Sequence, residues 1–174
     1  KKGAANWGNS TKKEETLVKE VLSTYFNHIS LIGENPLNKD FAQQKNHLTR
    51  MCKGDWIFLI DADEYPDEYL CTALPSVIES NPEVEAYWIS RINTVKGLTR
   101  DHINRWRWVV DSKGRVNFPD RQLRIYKNEP DRIKWTKPVH EQLVGYTKFA
   151  ALPDNEEYCL HHPKDIARQE QQNN

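Results

Sequence analysis

The segment GDWIFLIDADE, residues 54–64, constrains the fold of this chain more than any other. Its apolar part, Trp56 to Ile60, is short, bulky and partly β-branched, which favours a buried strand over a helical turn. Asp61 and Asp63 follow directly. A buried strand therefore ends in a cluster of carboxylates, and the fold has to direct this cluster towards some partner.

The pattern around this strand is that of an α/β protein. Apolar residues at helical spacing predict an amphipathic helix over residues 12–26, and HISLIG, residues 28–33, predicts a short buried strand. A second helix is predicted from Asp40, a suitable N-cap, to near Gly54. Helix, strand, helix, strand is the order of parallel βαβ units, and open α/β sheets bind ligands at the carboxyl ends of their strands.

The second half of the sequence predicts a mixed sheet. A helix is expected to begin at Pro66 and to reach about Ser80, with a bend or break at Pro75. Alternating bulky and polar residues predict strands in VEAYWISRINTV, RWRWVVD, RQLRIYKN and EEYCLHH, and KDIARQEQQNN predicts a polar helix or frayed tail. Because the chain opens with a polar segment that leads into a helix, we expect an N-terminal truncation in which the first strand is missing.

Composition and charge bound the class of protein. The 174 residues, 37% of them hydrophobic, suffice for one catalytic domain over residues 1–174. Lys plus Arg and Asp plus Glu both number 25, so no basic field favours nucleic acid. No apolar run approaches the roughly 20 residues that cross a bilayer, and the three scattered cysteines form no C-x-x-C pair. We expect a cytoplasmic domain with no nucleic-acid partner and at most peripheral membrane contact.

The spacing of Asp61 and Asp63 suits metal-assisted phosphate chemistry. Side chains at i and i+2 of an extended chain share one face, so the two carboxylates can converge on one cation, or on a cation and a ribose. Mg²⁺ and Mn²⁺ prefer carboxylate oxygens and leave positions open for phosphate oxygens. The alternative is a helix N-cap, where acidic side chains satisfy free N–H groups.

Further motifs, in a fixed order, favour the first interpretation. The motifs are DFAQQKN at 40–46, GDWIFLIDADE at 54–64, RQLRIYKN at 121–128, VHE at 139–141 and CLHH at 159–162. Together they resemble family 2 glycosyltransferases, in particular the bacterial branch that includes lipopolysaccharide-core glucosyltransferases. The resemblance covers residues from about 40 to 165 and implies a nucleotide-diphospho-sugar transferase (GT-A, Rossmann-like) fold with a mixed central sheet.

The resemblance implies a metal site at the acidic segment. Asp61 would approach the ribose or the metal, and Asp63 would ligate a metal that bridges the two phosphates. His161 would be a third ligand, with His162 as the alternative because neighbouring residues of a strand point to opposite faces. Glu64 would support these ligands or only cap a helix.

The resemblance also implies contacts to the nucleotide and its phosphates. Lys45 and Asn46 would lie on the nucleotide side, the alternative being an exposed helix lysine and a capping asparagine. Arg121 and Arg124 would hold phosphate or acceptor hydroxyls, although exposed strand arginines are common.

Catalysis is assigned to the V-H-E segment. Glu141 would be the general base that takes a proton from the acceptor hydroxyl, and His140 would orient it or contact the diphosphate. The alternative is that Glu141 caps a helix or pairs with Arg121 or Arg124. Trp135, next to this segment, is our choice for a ring that lines the acceptor cleft, because sugars stack on aromatic faces. Core packing is the alternative role for such rings.

These features predict inverting, metal-dependent transfer of a sugar from a nucleotide-diphospho-sugar to a glycan or lipid-linked acceptor, in polysaccharide or lipopolysaccharide synthesis. The cation would be Mn²⁺ or Mg²⁺. A nucleotidyltransferase is one alternative, but it would need a Gly-rich loop with a basic residue near the first strand. A non-catalytic carbohydrate-binding domain that uses aromatic side chains alone is the other.

Overall fold

The computed structural model describes residues 3–7, 29–35 and 38–173. The helix predicted over residues 12–26 lies outside these ranges. The chain forms two compact units, Lys1–Ile57 with Lys127–Tyr146 and Phe58–Tyr126 with Thr147–Asn174. The assignment of residues 1–174 to one catalytic domain stays a prediction.

The described elements alternate between strands and helices. The strands are β1 (Gly3–Trp7), β2 (Ile29–Glu34), β3 (Trp56–Phe58), β4 (Tyr65–Pro66), β5 (Ala86–Lys96), β6 (Val116–Lys127), β7 (Lys134–Thr136), β8 (Gln142–Val144), β9 (Phe149–Ala151) and β10 (Leu160–Asp165). The helices are α1 (Phe41–Met51), α2 (Glu68–Ser80), α3 (Arg100–Trp106) and α4 (Ile166–Asn173), with a 3₁₀ turn at Glu156–Tyr158.

The first unit contains a parallel pair of strands, helix α1 and a hairpin. β1 and β2 pair in parallel, and β7 and β8 pair antiparallel with Trp135 opposite Leu143. The Asp40 side chain caps α1 by accepting the Gln43 N–H at 2.8 Å, as predicted. The predicted strand in HISLIG is confirmed by β2, and α1 ends at Met51, three residues before Gly54.

Strand β1 corrects one expectation about the start of the chain. The opening segment was expected to be polar and to lead directly into a helix, whereas Gly3–Trp7 form a strand whose Ala4 lies beside Leu31 of β2. Hydrogen bonds to a partner about 25 residues away stabilise such a strand. Local composition does not reveal a non-local pairing of this kind.

The second unit is built on a mixed sheet, as predicted. Its strands run in the order β6–β5–β10–β4, with β9 also pairing with β5. β5 is antiparallel to β6 and parallel to β10 and β9, while β4 is antiparallel to β10. At the β6 edge, Phe58 ends β3, and the Leu59 N–H donates to the Arg124 carbonyl at 2.8 Å. The core of this unit includes Tyr87, Ile89, Ile125 and Leu160, all fully buried.

Two predicted elements differ in the structure. RWRWVVD was expected to be a strand, but its first residues end helix α3, which Thr99 caps by accepting the His102 N–H. Arg107 then adopts a left-handed backbone, φ 53°, which ends the helix. Local capping therefore outweighs the alternation of bulky and polar residues here.

The second difference concerns Pro75, which does not break helix α2. Asp67 caps this helix by accepting the Tyr69 N–H at 2.8 Å, and Pro75 lies inside it without ending it. Proline removes one backbone hydrogen bond of the helix, and the packing of the buried Leu70 and Leu74 compensates for this loss. The predicted last strand begins later than expected, because residues 156–158 form the 3₁₀ turn. No helix in the described ranges is both long enough and apolar enough to cross a bilayer.

Candidate functional site

The carboxylates that follow β3 lie in a tight turn closed by Glu64. The Glu64 N–H donates to the Asp61 carbonyl at 3.0 Å, and the Asp61 N–H donates to Glu64 Oε2 at 3.2 Å. The Glu64 side chain is completely buried, with 0% of it exposed. The Glu64 side chain thus closes the turn by accepting the Asp61 N–H. Its two predicted roles, support of the metal ligands or a helix cap, stay predictions.

Two arginines neutralise the buried Glu64 carboxylate. Arg124 Nη2 lies 2.6 Å from Glu64 Oε1 and 2.5 Å from Asp61 Oδ2, and Arg91 Nη1 lies 3.0 Å from Glu64 Oε1. Arg91 also donates to Asp120 Oδ2 from Nε at 2.9 Å and from Nη2 at 2.7 Å. The buried charge is thereby paired and hydrogen-bonded, which burial of an ion requires.

A second branch of contacts leads from Asp120 to Asp63. Asn93 Nδ2 donates to Asp120 Oδ2 at 2.8 Å, and Asn93 Oδ1 lies 2.8 Å from His162 Nδ1. His162 Nε2 lies 3.4 Å from Asp63 Oδ2. We call the connected set Asp61, Asp63, Glu64, Arg91, Asn93, Asp120, Arg124 and His162 the Glu64 network.

Strand register explains why these side chains meet. Residues two apart share a face of a sheet, which groups Arg91 with Asn93 and His162 with Lys164. Arg91 lies directly opposite Asp120 in the antiparallel β5–β6 pair, and Asn93 lies opposite His162 in the parallel β5–β10 pair. The central strand β5 therefore joins its two neighbours through polar contacts.

A cavity of about 450 Å³ opens beside the network. It is lined by both acidic and basic side chains, including Asp61, Asp63, His162, Lys164 and Arg168. Arg168 Nη2 lies 3.8 Å from Asp63 Oδ2, and Lys164 Nζ donates to Gln169 Oε1 at 3.2 Å. Such a mixture of carboxylates and cations suits a phosphate group together with a divalent metal.

Burial sets the charge states of two groups in the network. It lowers the pKa of His162, with the charges of Arg91 and Lys164 acting in the same direction, so the imidazole is neutral at pH 7. Burial would raise the pKa of Asp120, but the hydrogen bond from Asn93 and the charge of Arg91 outweigh it and lower that pKa. Asp120 is therefore a carboxylate that only accepts hydrogen bonds.

The residues at the cavity fit a hard divalent cation. No three His, Cys, Asp or Glu side chains in the described part of the chain already converge as a complete metal site. Asp61 and Asp63 nevertheless line the same cavity as His162, which supplies two carboxylates and one neutral imidazole nitrogen. Mn²⁺ accepts this donor set, and Mg²⁺ favours its oxygen part.

The structure places His162, and not His161, beside Asp63. His161 has the opposite orientation on β10, where its ring stacks on Tyr65 with centroids 5.0 Å apart. The third ligand stays a prediction, and this geometry favours His162, the named alternative to His161, because adjacent strand residues face opposite sides of the sheet.

The two predicted phosphate-binding arginines have structural partners. Arg124 is buried and pairs with Asp61 and Glu64, and its predicted role towards a phosphate or an acceptor hydroxyl stays a prediction. Arg121 is half-exposed and pairs with Asp154, with Nη2 2.6 Å from Oδ2. Alternation predicts that these two positions, three residues apart, point to opposite faces of β6, but it does not tell which face is buried.

The remaining predicted site residues cluster in the first unit. Lys45 forms an ion pair with Glu141, and its Nζ lies 4.3 Å from the centre of the Trp135 ring. The Asn46 amide exchanges two hydrogen bonds of 2.8 Å with the main chain of Trp135. Asn46 thus joins α1 to β7. Trp135 is buried. His140 is exposed and has a left-handed backbone, φ 55°.

Sequence reasoning missed several residues of the second unit. Arg91, Asn93 and Lys164 were not singled out, although polar residues at i and i+2 inside an otherwise buried strand are an available signal. Arg91 with Asn93 in SRIN, and His162 with Lys164 in HHPK, both have this spacing.

Comparison with known proteins identifies the family to which this chain belongs. Residues 8–144 match the model of glycosyl transferase family 2, so most of the chain is covered. The chain belongs to glycosyl transferase family 2, and its α/β architecture with a mixed central sheet is the GT-A fold. Members of this family transfer sugars from nucleotide-sugar donors. No curated protein matches the chain at a significant level.

We predict that Glu64→Gln lowers the free energy of unfolding by about 3–5 kcal/mol, the usual cost of removing one partner from a buried ion pair. The substitution keeps the size of the side chain but leaves the Arg91 and Arg124 charges undercompensated. Urea denaturation measures the loss. Glu156→Gln is the matched control, because it breaks an exposed pair with Lys113 and should change stability little. Equal midpoints for the two variants would show that Glu64 does not organise this unit.

Proposed function

We propose that this chain transfers a sugar, with inversion of configuration, from a nucleotide-diphospho-sugar to a glycan or lipid-linked acceptor, with the help of Mn²⁺ or Mg²⁺. The observation that carries the proposal is the 450 Å³ cavity in which Asp61, Asp63 and His162 stand beside Lys164 and Arg168. The ordered motifs from DFAQQKN to CLHH favour the lipopolysaccharide-core branch of the family.

Asp61, Asp63 and His162 are the residues proposed to hold the cation. A bound Mn²⁺ or Mg²⁺ acts as a Lewis acid that offsets the charge developing on the leaving diphosphate. Lys164 and Arg168, which line the same cavity, are placed to donate charge-assisted hydrogen bonds to phosphate oxygens. Burial and the nearby Arg91 lower the pKa of Lys164, and a bound anion would favour its charged form.

A second cavity supports an acceptor site in the same unit. It measures about 360 Å³ and shares Arg91, Lys164 and Gln169 with the first. Trp108 lines it, and the ring of Trp106 lies 4.7 Å away from that of Trp108. An aromatic face among polar side chains suits the C–H face of a sugar, so Trp108 replaces Trp135 as the ring we propose for the acceptor.

Glu141 remains our proposal for the general base. Direct displacement at the anomeric carbon requires a carboxylate to take the proton of the attacking hydroxyl. Asp61 and Asp63 are committed to the proposed cation, whereas Glu141 lies in the V-H-E segment and is held by Lys45. In this arrangement the lysine orients the carboxylate within its own unit.

We expect a cognate nucleotide sugar to raise the melting temperature only when Mn²⁺ or Mg²⁺ is present. Binding to the native state stabilises it by mass action, by about 2.7 kcal/mol at a ligand concentration of 100 Kd. Thermal shifts with UDP-, GDP- and dTDP-sugars, with and without Mn²⁺, measure this. Asp63→Ala should abolish the metal-dependent part. A carbohydrate-binding module would respond to no nucleotide, and metal-dependent binding of a free nucleoside triphosphate alone would favour a nucleotidyltransferase.

We predict that His162→Ala weakens Mn²⁺ binding by about 10-fold or more, while His161→Ala leaves it nearly unchanged. The reason is that His162 Nε2 faces Asp63, whereas His161 stacks on Tyr65. Calorimetric titration with Mn²⁺ compares the two variants, which differ only in strand face. A larger loss in His161→Ala would restore the original assignment, and no loss in either would remove histidine from the site.

We predict that Glu141→Gln retains metal and donor binding but lowers the transfer rate by about 10²–10⁴-fold, the usual contribution of a general base. Glutamine keeps the shape of the side chain and removes its basicity. Lys45→Met is the matched control for loss of the ion pair without loss of the carboxylate, and it should reduce turnover less. Normal turnover in Glu141→Gln would move the search for the base to Asp101, Asp111 or Asp120.

A further inference from the structure

His162 lies between two polar partners that differ in kind. Its Nδ1 is 2.8 Å from the amide oxygen of Asn93, and its Nε2 is 3.4 Å from a carboxylate oxygen of Asp63. Only 5% of the residue is exposed, so water has little access to either nitrogen. Protein groups rather than water therefore determine which nitrogen of this ring carries the proton.

The direction of each hydrogen bond follows from Asp120. This carboxylate can only accept, and it accepts from Arg91, from Gln122 at 2.7 Å and from Asn93 Nδ2 at 2.8 Å. Because the amide nitrogen of Asn93 is fixed on Asp120, the amide oxygen is fixed on His162. An amide oxygen also only accepts, so His162 Nδ1 must carry the proton.

A neutral imidazole has a single N–H, which places the lone pair of His162 on Nε2. That lone pair faces an oxygen of Asp63 that is itself an acceptor. Two acceptors directed at each other repel, and a cation bound by both removes the repulsion. A second partner that fixes the tautomer in this way raises the basicity of a ligating histidine.

We infer that Asn93, anchored by Asp120, is a positioning residue that holds His162 in its Nδ1–H form and aims the Nε2 lone pair at the cation site beside Asp63. The inference rests on the proposed metal site. Neither residue needs to touch the metal, because Asn93 acts through its hydrogen bond with His162 and Asp120 acts through its hydrogen bond with Asn93.

The protein without metal tests the tautomer directly. The chain has six histidines, and ¹⁵N-histidine labelling with His162→Gln as the assignment variant isolates the ring signals of His162. At about pH 8, above the ordinary pKa of histidine, we expect a protonated Nδ1 and an unprotonated Nε2. Asn93→Ala should shift the ring towards the Nε2–H form or a mixture, whereas Gln122→Ala, which removes another donor to Asp120, should leave it unchanged.

Mn²⁺ titration of the same proteins provides the second readout. We expect Asn93→Ala to weaken Mn²⁺ binding by about 10–100-fold and Gln122→Ala to leave it unchanged. If Asn93→Ala does not fold, Asp120→Ala removes the acceptor that fixes the Asn93 amide, leaves His162 in place, and should give the same shift of tautomer. An Nε2–H form in the wild-type protein, or a tautomer and affinity unaffected by Asn93→Ala, overturns the inference. Absence of Mn²⁺ binding to the wild-type protein would instead overturn the proposed metal site, since the nitrogen shifts are measured without metal.

Discussion

The second unit depends on one buried carboxylate held between two guanidinium groups. Glu64 is completely buried, yet it accepts from Arg91, from Arg124 and from the backbone of Asp61. Removing a charge of this kind from water costs several kcal/mol, and the arrangement is stable only while all its partners are in place. The buried Glu64 carboxylate therefore stabilises the shape of the turn that carries Asp61 and Asp63.

The mixed sheet positions the side chains of the Glu64 network beside the cavity. β5 carries Arg91 and Asn93 on one face, and its neighbours bring Asp120 and His162 directly opposite them. Two of the polar contacts, Arg91 with Asp120 and Asn93 with His162, join residues that lie opposite each other in the sheet, which restricts their rearrangement. For the metal-bound diphosphate that we propose as the ligand, this arrangement would pre-organise the carboxylates and the imidazole.

The first unit uses polar side chains differently. Asn46 substitutes for a strand partner by bonding both main-chain groups of Trp135, and Lys45 lies over the ring of the same residue while pairing with Glu141. One helix thus fixes both the hairpin and the carboxylate that we propose as the base. An amide used in this way satisfies backbone groups that would otherwise lack partners.

The sequence alone determined the class of the protein, the acidic turn and most of the strands, because these depend on local patterns. An apolar run that ends in carboxylates, or an aspartate at a helix start, is recognisable without knowledge of distant residues. RWRWVVD was assigned wrongly because a local cap at Thr99 outweighs alternation. Only the tertiary structure decided that Arg124 is buried and that His162 rather than His161 faces Asp63. Alternation divides a strand into two faces, but which face meets which neighbour is set by register between residues that are far apart in the chain.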